Sequence, residues 1–230
     1  MTQPQKRTIL VFGATGGTGA GIVRAALARA CSVTVFVRSS NRARNVFDDL
    51  LPELNIIKGD ACNEADVMRA IDPSLDAVIC SLGIYQRSAG RDDLARATRH
   101  IVAAMQATGV RRLVCVSSLG VGDSRGQGDF ATRLIQKTGL RFTLADKELQ
   151  EQAIRDSGLD WTIIRPTRLL HEGGPPYYQW WIGAQPSRKM HWAINRSQVA
   201  ELALDCIEDA RSIGKALNVT GSLSMPQNAG

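Results

Sequence analysis

Residues 9–23 read ILVFGATGGTGAGIV: apolar residues run straight into a glycine cluster and then into small, helix-compatible residues. Gly13, Gly16 and Gly19 recur every third position, with Gly17 between them. Glycine permits a tight turn there and lets the backbone approach a ligand closely. A helix starting at such a turn points free N–H groups and its positive dipole end at an anion. Thr15 and Thr18 add hydroxyls. The expected ligand is the pyrophosphate of a dinucleotide. The next strand-like run ends VTVFVRSSNRAR. No Asp or Glu stands there to take ribose hydroxyls, but Arg38, Ser39 and Arg42 do stand there. A guanidinium pairs well with a 2′-phosphate, so the residues favour NADP(H) over NAD(H). A third cluster, GGPPYYQWWIGAQPSRKMHW, gathers most of the chain's Trp and Tyr. Its rings, Tyr177 and Trp181 among them, can hold a flat substrate or form a satellite core or dimer face.

These groups need a scaffold, and the apolar pattern supplies one. Thr8–Phe12, Ser32–Val37, Asn55–Lys58, Ala77–Ser81, Leu113–Ser117 and Trp161–Arg165 read as short strands buried on both faces. Amphipathic stretches lie between them, marked by Ile22, Val23, Ala26 and Leu27, by Leu94, Ile101, Val102 and Met105, and by Val199, Leu202, Ala203 and Cys206. Alternating strands and helices predict an α/β fold: a single-domain, Rossmann-like, doubly wound parallel sheet. Residues 1–230 form one domain on this reading. Residues 173–195 break the alternation and form a small C-terminal, substrate-side extension. A helix is expected from about Ser197 to Asp209 and a last strand over Ala216–Thr220.

Composition narrows the partners. The 230 residues are 44% apolar and 22% charged, ordinary for a globular chain with a sizeable core. Net charge is +6, yet the arginines are dispersed, so no nucleic-acid partner is expected. No stretch approaches about 18 apolar residues, so no membrane span is expected. Five cysteines without a CxxC pair, and three dispersed histidines, give no disulfide framework and no metal spacing. Cytoplasmic localisation and a monomer or homodimer follow as expectations.

With GDACN after the third strand, SLG after the fourth, HIVAAMQATGVRRLVCVSSLG and SGLDWTIIRP, the chain resembles atypical short-chain dehydrogenases/reductases of the NAD(P)H-binding, NmrA-like kind. The nearest activity is that of the flavin and biliverdin-IXβ reductase type. The resemblance covers roughly residues 8–170, with an echo at INRSQVAELAL. It implies Asp60 and Ala61 by the adenine, and Ser81, Leu82 and Gly83 along the cofactor's middle. It also implies Ser117 and Ser118 beside the nicotinamide, with Pro166 and Thr167 meeting that end through their backbone.

Many members of that superfamily use a Tyr as acid with a Lys four residues later. Lys147 matches the lysine, but Thr143 stands where the tyrosine would. Threonine cannot replace a phenol in proton transfer. The flavin and biliverdin type also lacks the tyrosine. There hydride passes to a conjugated ring, which needs positioning more than a strong acid. The resemblance makes Ser118 and Lys147 the candidate catalytic residues. An Arg, Arg168, replaces that type's histidine and suits an anionic substrate group. His171 and His191 are further candidate acids or plain surface residues. Lys147 can alternatively be an exposed helix lysine paired with Glu151. The expected function is NADPH-dependent hydride transfer to a flat, conjugated small molecule, a flavin, a quinone or a biliverdin-like tetrapyrrole, with an anionic and aromatic character. A non-catalytic NADP(H) sensor or an assembly factor are the alternatives.

Overall fold

The computed structural model describes residues 6–83, 92–137, 141–186 and 190–225. The chain begins with β1 (Thr8–Phe12), α1 (Gly17–Ala28), β2 (Ser32–Val37), α2 (Ser40–Val46) and β3 (Leu54–Lys58). It continues through α3 (Glu64–Ala70), β4 (Ala77–Cys80), α4 (Asp93–Thr108), β5 (Arg112–Val116), α5 (Phe130–Lys137) and α6 (Arg141–Arg155). β6 (Asp160–Pro166), β7 (Arg168–Leu170), β8 (Tyr177–Trp181), β9 (Ala193–Asn195), α7 (Arg196–Glu208) and β10 (Lys215–Ser222) complete it.

Eight strands form one sheet in the order β3-β2-β1-β4-β5-β6-β10-β8. Strand order reverses between β1 and β4, which pair in parallel. That reversal leaves a crevice beyond the carboxyl ends of the strands, the general ligand position of such sheets. Side chains alternate along β1. Ile9 and Val11 join a core with Ile22, Val199 and Leu202 from α1 and α7. Leu10 and Phe12 join the opposite core with Ile101, Met105 and Ile154 from α4 and α6. Helices on both faces explain why the central strands read as continuous apolar runs. β4 and β5 are buried throughout, Cys80 and Cys115 included.

Two expectations change. β3 is half exposed because it is an edge strand, covered on one side only. The aromatic segment contributes β8, which pairs antiparallel to β10 with Tyr177 opposite Ser222 and Trp181 opposite Asn218. The sheet is therefore mostly parallel with one antiparallel edge, a common finish for doubly wound sheets. A separate two-stranded pair, β7 with β9, folds back over the carboxyl edge and leads into α7, which packs on α1.

Candidate cofactor and substrate site

The glycine turn is built by close backbone contact. Gly13 has φ +74°, and a Cβ there would lie 2.4 Å from the Ser81 carbonyl oxygen. The β1 and β4 loops thus touch, and Ser81 N–H donates to the Phe12 carbonyl at 2.9 Å. A Cβ on Gly19 would lie 2.2 Å from the Gly13 carbonyl, so the helix starts hard against the turn. Gly16 precedes α1, with no capping side chain and no acid in the first turn. By contrast, Ser39 caps α2, Asn63 caps α3, and Asp146 on α6 accepts from Leu94 and Ala95 N–H at the start of α4. Among the described residues, the first turn of α1 thus keeps N–H groups that no capping side chain satisfies. Thr15 is half-buried and Thr18 is buried beside them.

Arg38 and Arg42 follow β2, both exposed and, among the described residues, without an ion pair. Ser39 Oγ accepts from Arg42 N–H at 3.3 Å and keeps its own O–H to donate. Next along the edge, Asp60 Oδ1 accepts from Cys62 N–H at 2.9 Å, so its turn is preformed and the other carboxylate oxygen stays open. Ala61 is buried, its carbonyl 3.2 Å from His100 Nδ1. Leu82 and Gly83 run outward from β4, half-buried and exposed respectively.

The β5–β6 end differs from expectation in several places. The Ser117 hydroxyl is buried and donates to Glu151 Oε1 at 2.6 Å, so it supports the wall instead of facing the crevice. Ser118 is half-buried, and among the described residues its hydroxyl donates only to the Leu119 carbonyl, at 3.2 Å. The Thr167 N–H is spent on the Val219 carbonyl at 3.0 Å, and the Pro166 carbonyl accepts from Leu119 N–H at 2.9 Å. Lys147 is not an exposed helix lysine: it is 7% exposed and donates to the Val116 carbonyl at 3.2 Å. Burial pushes its pKa below that of free lysine, against the opposing pull of Glu151 and Asp146. Thr143 lies one turn earlier, half-buried.

Glu151 serves a different partner. Its carboxylate takes Arg165 Nη2 at 2.6 Å and Nε at 3.0 Å, and Arg165 also reaches Asp123. Arg165 is fully buried. A charged residue closing an otherwise apolar strand, TIIR, was the signal that an acid must be buried nearby.

On the substrate side, Arg168 is exposed and, among the described residues, has no ion pair. Tyr177 is exposed at the carboxyl edge. Trp181 corrects the expectation: it is 7% exposed, and its indole N–H donates to Gln127 Oε1 at 3.1 Å. It props the wall and offers no free face to a ligand. Tyr178 points to the other face, where burial and Asp205 push its phenol up to about 12. A cavity of about 370 Å³ lined by Gln179, Met190, His191, Ser222 and Leu223 opens beside β8 and the end of β10. A larger hollow of about 700 Å³ lies between α3 and α4, against Cys62, Met68 and His100. It is shallow and sits away from the β5–β6 end. Among the described residues no group of His, Cys, Asp and Glu could hold a metal. None of the described helices is long and apolar enough to cross a membrane.

A family model described as NAD(P)H-binding matches residues 13–210, from the glycine turn to the end of α7. The chain belongs to that family. This family member is 30% identical over 233 residues to an uncharacterised chloroplastic protein of Arabidopsis thaliana, covering 97% of this chain and 80% of the relative. It is 28% identical over 237 residues to the chloroplastic divinyl chlorophyllide a 8-vinyl-reductase of Oryza sativa subsp. indica, covering 95% of this chain. The chain spans about half of that reductase, 55% of its length. Among solved structures, ChuY, an anaerobilin reductase from Escherichia coli O157:H7, matches with TM-score 0.75 and 24% identity over 95% of this chain and 99% of that one. The Rossmann-like fold is borne out, and so is the NAD(P)H-binding part of the resemblance.

Proposed function

We propose that the protein is an NADPH-dependent reductase of a flat, conjugated, anionic small molecule of the tetrapyrrole kind. The observation that carries the cofactor choice is the rim after β2. It offers Arg38, Ser39 and Arg42, has no acid in VRSSNRAR, and has no partner for either guanidinium among the described residues. A 2′-phosphate supplies the missing charge. The relatives named for chlorophyllide and anaerobilin reduction support the substrate class. So do Arg168, unpaired at the mouth, and the cavity beside β8.

Bound NADPH supplies hydride. Ser118 and Lys147 orient the nicotinamide end, Lys147 from a buried position fixed by the Val116 carbonyl. Arg168 holds an acidic group of the acceptor. With Thr143 in place of a phenol, the final proton comes from water or from Ser118. Thr143 also favours one second reading, a non-catalytic NADP(H) sensor. Absorbance at 340 nm, followed with biliverdin, FMN and quinones under NADPH and NADH, separates the two. The reductase reading predicts turnover with a tetrapyrrole and preference for NADPH. Tight NADPH binding with no turnover on any acceptor moves the protein to the sensor reading.

A further inference from the structure

Arg196, the first residue of α7, lies far in sequence from the glycine turn but against it in space. A Cβ built on Gly17 would come within 2.7 Å of Arg196 Nε and 2.9 Å of its Cδ. The arginine stem therefore occupies the space that a side chain at position 17 would need. Gly17 is the first residue of α1, whose N–H groups no capping side chain satisfies. Arg196 Nη1 donates to the Leu169 carbonyl at 3.1 Å, which holds the guanidinium in place from β7. Its Nε is buried and, among the described residues, has no hydrogen-bond partner. No carboxylate among the described residues pairs with it, whereas Arg24, Arg29, Arg111 and Arg165 each pair with an acid. His171 Cε1 stands 3.4 Å from the same Cβ position on Gly17, adding a second basic side chain. A buried, unpaired guanidinium N–H is costly unless a ligand completes it.

We propose that Arg196 is a pyrophosphate-binding residue: with the first turn of α1 it grips the diphosphate of the cofactor from the α7 side. This rests on the cofactor reading above and extends it. The grip comes from two separate parts of the chain, so cofactor binding ties α7 and the β7–β9 pair to α1. It also explains the glycine at position 17, since any side chain there displaces the arginine.

The test is calorimetric titration of wild type, Arg196→Gln, Arg196→Lys and Gly17→Ala with NADPH, NADH and ADP-ribose. ADP-ribose keeps the diphosphate but carries neither the 2′-phosphate nor nicotinamide. Arg196→Gln is expected to weaken all three by a similar factor, on the order of 10- to 100-fold, as for loss of a charge-assisted hydrogen bond. Arg196→Lys, which keeps the charge, recovers part of the loss. Gly17→Ala, which leaves the guanidinium but pushes it aside, weakens all three in the same direction. Circular dichroism confirms that each variant is folded. A loss confined to NADPH, or unchanged nucleotide affinity with a raised KM for the acceptor, overturns the proposal and leaves the reductase reading standing. A wild type that binds none of the three overturns both.

Discussion

The carboxyl edge of the sheet has two regions that handle charge in opposite ways. Over β1 and β2, the cations Arg38 and Arg42 are exposed and unpaired among the described residues, and the first turn of α1 has no acid. Beneath β5 and β6, Arg165 is fully buried and fully answered by Glu151 and Asp123, with Ser117 joined to the same carboxylate. The Glu151 network is complete without a ligand, so it is scaffold. The rim has unpaired cations among the described residues, which is what the proposed cofactor grip requires. Charge by itself does not mark a binding site; charge without a partner does.

The contrast can be broken at several points. The largest effect is expected for Glu151→Ala, which leaves the buried Arg165 guanidinium with Asp123 but without its bidentate partner, and removes the acceptor of Ser117. Chemical denaturation should show a loss of about 3–5 kcal/mol. A loss below about 1 kcal/mol would show that the network is not scaffold. Next is Gly13→Ala, which forces φ +74° on a residue with a Cβ and drives that atom against the Ser81 carbonyl. It should cost about 1–3 kcal/mol of stability and weaken NADPH and NADH alike, because it distorts the shared turn. An NADPH-selective effect would misplace the pyrophosphate.

A smaller effect concerns pH. Burial favours neutral Lys147, so its folded pKa lies below the free value of 10.5. The ammonium is present below that folded pKa and is lost as pH rises through it. Turnover should therefore fall on the alkaline side before pH 10.5 is reached, and Lys147→Met should lack that limb. An unchanged alkaline limb in the variant would remove Lys147 from the chemistry. The smallest effect is Arg111→Ala, which breaks an exposed pair with Asp160 at the far edge of the sheet. Stability should move by about 1 kcal/mol or less, with cofactor affinity unchanged.

Much of the scaffold is legible in the sequence. β1 and β2 match their expected limits residue for residue, because a strand covered on both faces leaves a mostly apolar run. β8 was not read as a strand. Its YYQWW sequence mixes exposed and buried rings, and its partner β10 lies some 40 residues on, a pairing that no local pattern announces. The glycine turn and the arginine rim were legible because their residue types are unusual in place. The roles of Ser117, Trp181 and Lys147 were not. Each depends on a neighbour distant in sequence, Glu151, Gln127 and the Val116 carbonyl, and only the fold brings them together. Arg196 falls just before the helix expected from about Ser197, and only the packing of α7 on α1 gives it its neighbours.

The most direct test of the account is a titration of wild type and Arg38→Glu with NADPH and with NADH. Wild type should prefer NADPH. The variant should lose about 2–4 kcal/mol of NADPH affinity, from a lost charge-assisted contact and added repulsion, while NADH affinity changes far less. Equal losses for the two cofactors, or a wild type indifferent to the 2′-phosphate, would contradict it.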